Sequence, residues 1–348
     1  MINTQVMFTA PWQVEVQEDN YIVGELHPNE ILVKKIYTLV SAGTELACLS
    51  GNEKWFSMPQ VPGYSAVSEV INVGSSIIDY VIGDHIFHYG NHALYETING
   101  NDLIVKVPEG VPLYWIPFAR LATIAMTSIR VSSIELGDYV AVTGLGLVGN
   151  LAAQLASLQG ANVVGIDVSA NRLALAKRCG IFATLDGNDD QLIEQLSLLT
   201  SQIGVSTLIE ATGVPQVVTK SLPYISPYGE LILLGSPRGD YTGNITDLLN
   251  HTHLMDHGCI TFKGAHEWRL PVQHNPYIKH SLVRNTKIVF ELMKNKKLKI
   301  DPLISHIVPP QQEAEHAYEG LRNDKDQYHG VLFDWTKNNP VKEVKHYD

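Results

Sequence analysis

Cysteine is scarce in this sequence: 348 residues carry three, Cys48, Cys179 and Cys259, spread along the chain. Scattered thiols build neither a disulfide framework nor a four-cysteine zinc lobe, and a reducing, cytoplasmic setting is expected. Long apolar runs are missing as well. Stretches such as Tyr139 to Val142 and Leu231 to Leu234 fall far short of the ~20 residues that span a bilayer, so no membrane association is expected. The opening, MINTQVMFTAPWQVEVQ, lacks a charged start followed by an apolar core, and no secretory signal is expected. Low-complexity tracts and repeats of solenoid period are lacking. Positive charge is in deficit: 25 Lys and Arg stand against 36 Asp and Glu, a net charge of −11. Nucleic-acid binders carry basic patches, so a large phosphate-backbone footprint is not expected.

What remains is an ordinary globular balance, 45% hydrophobic and 18% charged, which excludes extensive disorder. The length suggests two domains at roughly 150 residues each. The first third reads as short strands at Gln13 to Val16, Glu30 to Ile36 and Ser65 to Val73, with glycine, proline or asparagine between them. Helical periodicity is scarce before residue 112. From Phe118 to Ser133 the pattern turns helical. Strands then alternate with amphipathic helices: Tyr139 to Thr143, Leu147 to Leu158, Asn162 to Asp167, Ala170 to Cys179, then strands at Thr207 to Glu210, Glu230 to Leu234 and Cys259 to Lys263. This alternation implies a parallel sheet covered on both faces. A helix from His280 to Asn295 follows. The tail, with a short helix around Glu313 to Leu321 and a final strand, is expected to return to the first domain.

Val140 to Gly149 reads VAVTGLGLVG. Gly144, Gly146 and Gly149 form a GxGxxG between a strand and a helix, the context in which a pyrophosphate is held. Gly144 permits the tight turn, Gly146 the approach of the anion, and Gly149 the packing of helix on strand, while the helix start at Leu147 and Val148 favours negative charge. Asp167 ends the next strand, where an acidic side chain accepts hydrogen bonds from the adenosine ribose. Its charge repels a 2′-phosphate, so NAD is favoured over NADP, and Arg172 nearby tempers that preference. Two further strand ends, Glu210-Ala211-Thr212-Gly213 and Gly235-Ser236-Pro237-Arg238, are expected on the same crevice. Each also reads as an ordinary turn.

These features resemble the medium-chain dehydrogenase/reductase superfamily over nearly the whole chain. The resemblance rests on Val61-Pro62-Gly63, Val73-Gly74-Ser75-Ser76, Ile82-Gly83-Asp84-His85-Ile86-Phe87, TGLGLVG and LILLGSPRG, in that order. It implies an α/β fold: a GroES-like β-rich catalytic domain at 1–120 and 300–348, and a Rossmann doubly wound parallel-sheet domain at 121–299. It also implies a homodimer through sheet edges of the nucleotide domain. In the superfamily's zinc alcohol and polyol dehydrogenases, a Cys in a CGxD-like element, a His-Glu pair after glycine and a later Cys or Glu hold zinc. The corresponding positions here are Ala42, then Tyr64-Ser65, then the vicinity of Arg120, and residues 90 to 110 contain no Cys. SAGTE, Gly-Tyr-Ser and the later GAHE together resemble a zinc-lacking branch, the bacteriochlorophyllide a dehydrogenase-like subgroup, many of whose members have other substrates. The resemblance thus implies a dehydrogenase with no metal.

Without zinc, alcohol oxidation needs a general base and ketone reduction the matching acid. Tyr64 stands at a lost ligand position and can offer its phenol there, with Arg120 as a cationic neighbour or an anion binder. Tyr64 also reads as a packing residue. Thr44 and Glu45 are candidates for substrate hydroxyls, or for stabilising a turn. Among histidines, the resemblance puts His88 and His92 near the cleft and His266 in a loop near the nicotinamide. Each also reads as a satisfied structural histidine. In His251-Thr252-His253-Leu254-Met255-Asp256-His257 a continuous helix would put His253 and His257 on one face, but the spacing matches no zinc motif and a solvated face is the stronger reading. The leading expectation is an NAD-dependent oxidoreductase acting on a secondary alcohol of a hydroxyl-rich small molecule. The alternatives are a zinc-free NADPH-dependent quinone or enone reductase, and a dinucleotide-binding protein without chemistry.

Overall fold

The computed structural model describes residues 1–21 and 24–337. The chain divides into two compact units: Met1–Pro117 together with the chain from Ile304 onward, and Phe118–Leu303. The boundaries expected from the resemblance are 120/121 and 299/300. Residues 338–348 of the expected first domain lie outside the described residues.

Among the described residues the first unit contains β1 (Ile2–Ala10), β2 (Gln13–Asn20), β3 (Glu30–Leu39), α1 (Ala42–Leu49), β4 (Ala66–Val73), β5 (His85–His88), β6 (Tyr95–Asn99) and β7 (Ile104–Lys106). The chain then forms the second unit: α2 (Phe118–Val131), β8 (Tyr139–Thr143), α3 (Leu147–Gln159), β9 (Asn162–Asp167), α4 (Ala170–Arg178), β10 (Ala183–Asp186), α5 (Leu192–Leu199), β11 (Val205–Glu210), α6 (Pro215–Ser221), β12 (Ile225–Leu233), α7 (Ile245–His253), β13 (Thr261–Gly264) and α8 (Leu282–Lys294). It returns to the first unit with β14 (His306–Val308), α9 (Pro310–Asn323) and β15 (Val331–Asp334).

In the first unit β1 and β2 form an antiparallel hairpin, and the remaining strands form a sheet in the order β14-β15-β3-β4-β5-β7, with β6 also on β3. β3 pairs with β6 over Glu30 to Lys34 and with β15 over its last residues, Tyr37 to Leu39, and its register with β4 shifts twice. The core joins Val6 and Phe8 of β1, Val40, Tyr318 of α9, and Phe333 and Trp335 at the end of the described chain. Each such fully buried side chain contributes roughly 1.5–3 kcal/mol of transfer free energy. Neither α1 nor β1 was expected from the sequence.

The second unit is a parallel sheet ordered β10-β9-β8-β11-β12-β13. Numbered by appearance that is 3-2-1-4-5-6, the doubly wound order in which ligands bind beyond the carboxyl ends of the strands where the order reverses. The reversal lies between β8 and β11, which pair directly. The sheet's centre is apolar, with Ala141, Val164, Leu208 and Leu231 fully buried, as a sheet covered on both faces requires. Local signals set the helix ends. Gly160 closes α3 at φ +103, Ser169 caps α4 by accepting from the Arg172 amide, and Ser281 caps α8 by accepting from the Arg284 amide. Among the described residues no helix is long and apolar enough to cross a membrane.

Candidate active site

β8 ends at Thr143 and the chain turns at Gly144 into α3. Gly144 has φ +84, a region L side chains rarely adopt, and a Cβ there would lie 2.7 Å from Thr212 Cγ2. A Cβ on Gly149 would lie 1.8 Å from the Gly144 carbonyl oxygen, so helix and turn touch only because that atom is missing. Gly146 differs. Its φ is −59, which any residue tolerates, and a Cβ there would meet nothing within 4 Å. No internal contact calls for glycine at this position; the space beside it is open. α3 has no side-chain cap at Gly146, and the first-turn amides of Leu147, Val148 and Gly149 have no acceptor within the helix. Thr143 Oγ1, at the strand end, is buried with no hydrogen-bond partner among the described residues. Open space, uncapped amides and an orphaned hydroxyl fit a dinucleotide pyrophosphate.

Asp167 ends β9 and is buried. One carboxylate oxygen accepts from the Leu145 amide at 2.7 Å and the other from the Ser169 amide at 2.9 Å. About half of the acceptor capacity of the carboxylate remains for ribose hydroxyls. Arg172 Nη1 lies 3.7 Å from the same carboxylate. Glu210 ends β11 and is also buried. It accepts from the Thr212 amide at 2.7 Å, the Thr212 hydroxyl and the Gly213 amide at 3.2 Å. Burial holds its carboxyl above the ordinary range, and these donors offset only part of that rise. A Cβ on Gly235 would lie 2.3 Å from the Gly213 nitrogen, and one on Gly213 would lie 2.4 Å from the Ser236 carbonyl. The turns after β8, β11 and β12, carrying Gly144, Thr212, Gly213, Gly235 and Ser236, therefore pack backbone to backbone at the carboxyl edge of the sheet.

In the first unit the Tyr64 hydroxyl donates to Ser41 Oγ, just before α1. Thr44 sits on α1, half-buried. Glu45, one turn into α1, is 2% exposed. Its carboxylate accepts from the Ser41 amide at 2.7 Å and from the Tyr318 hydroxyl, and lies 3.0 Å from His92 Nε2. The other ring nitrogen of His92 is 2.8 Å from Thr38 Oγ1, which also receives Trp335 Nε1–H at 2.9 Å. Trp335 can only donate, and an ionised carboxylate can only accept, so Thr38 Oγ1 accepts from Trp335 and His92 Nε2–H donates to Glu45. The expectation that Glu45 meets substrate hydroxyls is corrected: its oxygens are met by protein donors in the core. His92 is a core residue for the same reason.

His88 is also a core residue rather than a site histidine. It is buried with Nε2 2.8 Å from Ser68 Oγ, and Nδ1 is 4.0 Å from Glu96, which pairs with the buried Lys35. Burial, and then the Lys35 charge, hold its pKa well below the usual histidine value. In the second unit both terminal nitrogens of Arg120, in the first turn of α2, donate to the two oxygens of Glu267. Arg120 is thus buried with its charge already met, rather than awaiting an anionic ligand. His266, one residue earlier than Glu267, is exposed. The His251–His257 run is not one helix. α7 stops at His253 and Leu254 is extended; His251 Nδ1 instead meets the His257 carbonyl at 2.9 Å.

Zinc requires three or four nitrogen, sulfur or oxygen ligands in a tetrahedron. The positions the resemblance points to hold Ala42, without a donor; Tyr64; Ser65, whose hydroxyl donates to the Pro117 carbonyl; and Arg120. These residues do not fit a zinc ion. Among the described residues no group of three or more His, Cys, Asp or Glu side chains gathers so as to hold a metal.

Residues 148–273 match the family model described as zinc-binding dehydrogenase. The chain is similar to D-guloside 3-dehydrogenase of Escherichia coli, 28% identical over 250 residues that cover 71% of this chain and 69% of that protein. It is similar to L-threonine 3-dehydrogenase of Pyrococcus horikoshii, 24% identical over 333 residues, 86% of this chain and 89% of that one. Among solved structures, galactitol-1-phosphate dehydrogenase from Escherichia coli matches with a TM-score of 0.81 at 21% identity, covering 95% of this chain and 99% of its own. The fold is accordingly a GroES-like β-rich unit with a Rossmann unit. Together these findings support the medium-chain dehydrogenase/reductase superfamily.

Proposed function

We propose that this chain is an NAD-dependent oxidoreductase of the zinc-lacking branch described above, moving hydride between the cofactor and a secondary alcohol or ketone of a hydroxyl-rich small molecule. A sugar, a polyol or a cyclitol-like compound is the substrate class. The observation that carries the reading is the open cradle at Gly146 beside the Asp167 carboxylate. The names of relatives acting on a guloside and on galactitol 1-phosphate support the substrate class.

When bound, the nicotinamide supplies the hydride acceptor or donor. The amides of Leu147, Val148 and Gly149 hold the pyrophosphate, and Asp167 accepts from the ribose hydroxyls. Asp167 disfavours a 2′-phosphate, with Arg172 offsetting part of its charge. Thr212, Gly213, Gly235 and Ser236 line the cofactor along the sheet edge. The proton is held or moved at Tyr64 Oη. A phenol can give a proton in ketone reduction, and its phenolate can take one in alcohol oxidation. Thr44 orients substrate hydroxyls, and the exposed His266 is the second proton group. A homodimer through β13, the strand at one edge of the Rossmann sheet, completes the reading.

The test is NADH formation by purified, chelator-treated protein over a panel of polyols, cyclitols and sugars, with NADP in parallel. Turnover with NAD on a hydroxyl-rich compound is the expected result. Tight NADH binding with no turnover on the whole panel overturns it, and NADPH oxidation by quinones would then identify an enone reductase.

A further inference from the structure

We propose that Glu210 is the positioning residue for the nicotinamide half of the cofactor: its carboxylate fixes the turn after β11 and, through it, the turn after β12. The inference rests on the dinucleotide reading given above. The strand order divides the crevice. Asp167 ends β9 and the glycine turn follows β8, so the adenosine and the pyrophosphate fall to those two strands. β11 flanks β8 on the other side, and β12 lies beyond it. The other half of the dinucleotide therefore falls to the turns after β11 and β12.

Glu210 bonds to both turns. Its Oε1 accepts from the Thr212 amide at 2.7 Å, from the Thr212 hydroxyl and from the Gly213 amide at 3.2 Å. Its main-chain carbonyl accepts from the amides of Leu234 and Gly235, at 2.9 and 2.8 Å. Gly213, held at its amide and bent to φ +69, takes the Arg238 amide on its own carbonyl at 3.1 Å. One carboxylate oxygen thus anchors a path from the first turn into the second. Glu210 is 1% exposed, so it acts through these turns and not by touching the cofactor. A buried carboxylate is costly, and an apolar residue of similar volume fills a core at least as well. The apolar residue cannot accept, however. Without Oε1 two amides and a hydroxyl lose their partner, and the turns must then be ordered as the cofactor binds, which lowers affinity.

The test is calorimetric titration of the full chain with NADH and with ADP, which carries only the adenosine and pyrophosphate groups. Glu210→Leu keeps the volume and removes the acceptor. Its Kd for NADH should rise at least tenfold while that for ADP stays within twofold. Glu210→Gln keeps an oxygen at the Oε1 position. It replaces Oε2, whose contact among the described residues is a 3.3 Å share of the Gly213 amide. NADH binding by the glutamine variant should stay within threefold of the parent. A general weakening of the fold moves NADH and ADP together, so equal losses overturn the proposal. Parent-like NADH binding in Glu210→Leu overturns it as well, and so does a glutamine variant as weak as the leucine one. If the leucine variant does not fold, Glu210→Met, unbranched and adaptable, takes its place. A parent protein that binds neither NADH nor ADP overturns instead the dinucleotide reading on which the proposal rests.

Discussion

The Asp167 carboxylate and the Leu145 amide are hydrogen-bonded at 2.7 Å, so the end of β9 and the glycine turn after β8 form one assembly. The residue expected to meet the ribose also braces the loop expected to meet the pyrophosphate. Replacing Asp167 by Ala removes both contacts, and the Kd for NADH, read from ligand fluorescence, should rise at least tenfold, about 1.4 kcal/mol. Arg172→Ala, which removes the cation 3.7 Å away, should lower kcat/KM with NADP while changing that with NAD less than threefold. A variant that loses NAD and NADP use equally would show that Arg172 does not tune the choice.

Two glycines of one motif should separate binding from folding. Gly146→Ala places a methyl in open space at a permitted φ, so its melting temperature should match the parent while NADH binding is lost. Gly149→Ala drives a methyl onto the Gly144 carbonyl. Overpacking of that kind costs about 1–3 kcal/mol or more, and thermal unfolding should shift down by several degrees. Normal NADH binding in Gly146→Ala would mean that the space beside it is not the cofactor cradle.

Arg120 and Glu267 share a bidentate, buried pair. Arg120→Ala leaves the carboxylate buried and unpaired and should cost about 3 kcal/mol in urea denaturation. Removing both charges, Arg120→Met with Glu267→Leu, should recover most of that loss, because the penalty lies in the orphaned charge. A double variant as unstable as the single one would locate the cost in packing instead.

His88 gives a pH dependence with a definite sign. Burial and the Lys35 charge depress its folded-state pKa below the ordinary 6.5. Above pH of about 6.5 the imidazole is neutral folded or unfolded, and its full contribution to stability is present. As pH falls below that value the unfolded chain takes up a proton that the fold refuses, so stability declines on the acid side. The drop in melting temperature between pH 7.5 and 5 should be smaller in His88→Gln than in the parent. An equal drop in both would assign the acid sensitivity to other groups.

The nucleotide unit is legible in the sequence because its signals are local. TGLGLVG and the Asp167 strand end each act within a few residues, and the structure repeats them almost position for position. α1 is not legible. Its eight residues, AGTELACL, carry a glycine in second place and a glutamate that points inward, so no apolar stripe stands out. Glu45 reads as a surface or substrate-facing charge because the donors that bury it, on Tyr318 and His92, lie 273 and 47 residues away. The shape of β1 is masked in the same way, since Asn3 and Thr4 are buried polar residues. The histidine run misleads for a different reason: Leu254 is extended, and spacing alone does not reveal where a helix stops.

The return of the chain to its first unit sets an order in time. Leu303, and with it the whole Rossmann unit, leaves the ribosome before Val331–Asp334 does. Until β15 emerges, the end of β3 has an empty edge on that side. Until Tyr318 emerges, Glu45 lacks one of the donors that make its burial tolerable. The unit that starts first during synthesis is therefore the last to be completed, and the dinucleotide fold is free to form while its neighbour waits for its final strand.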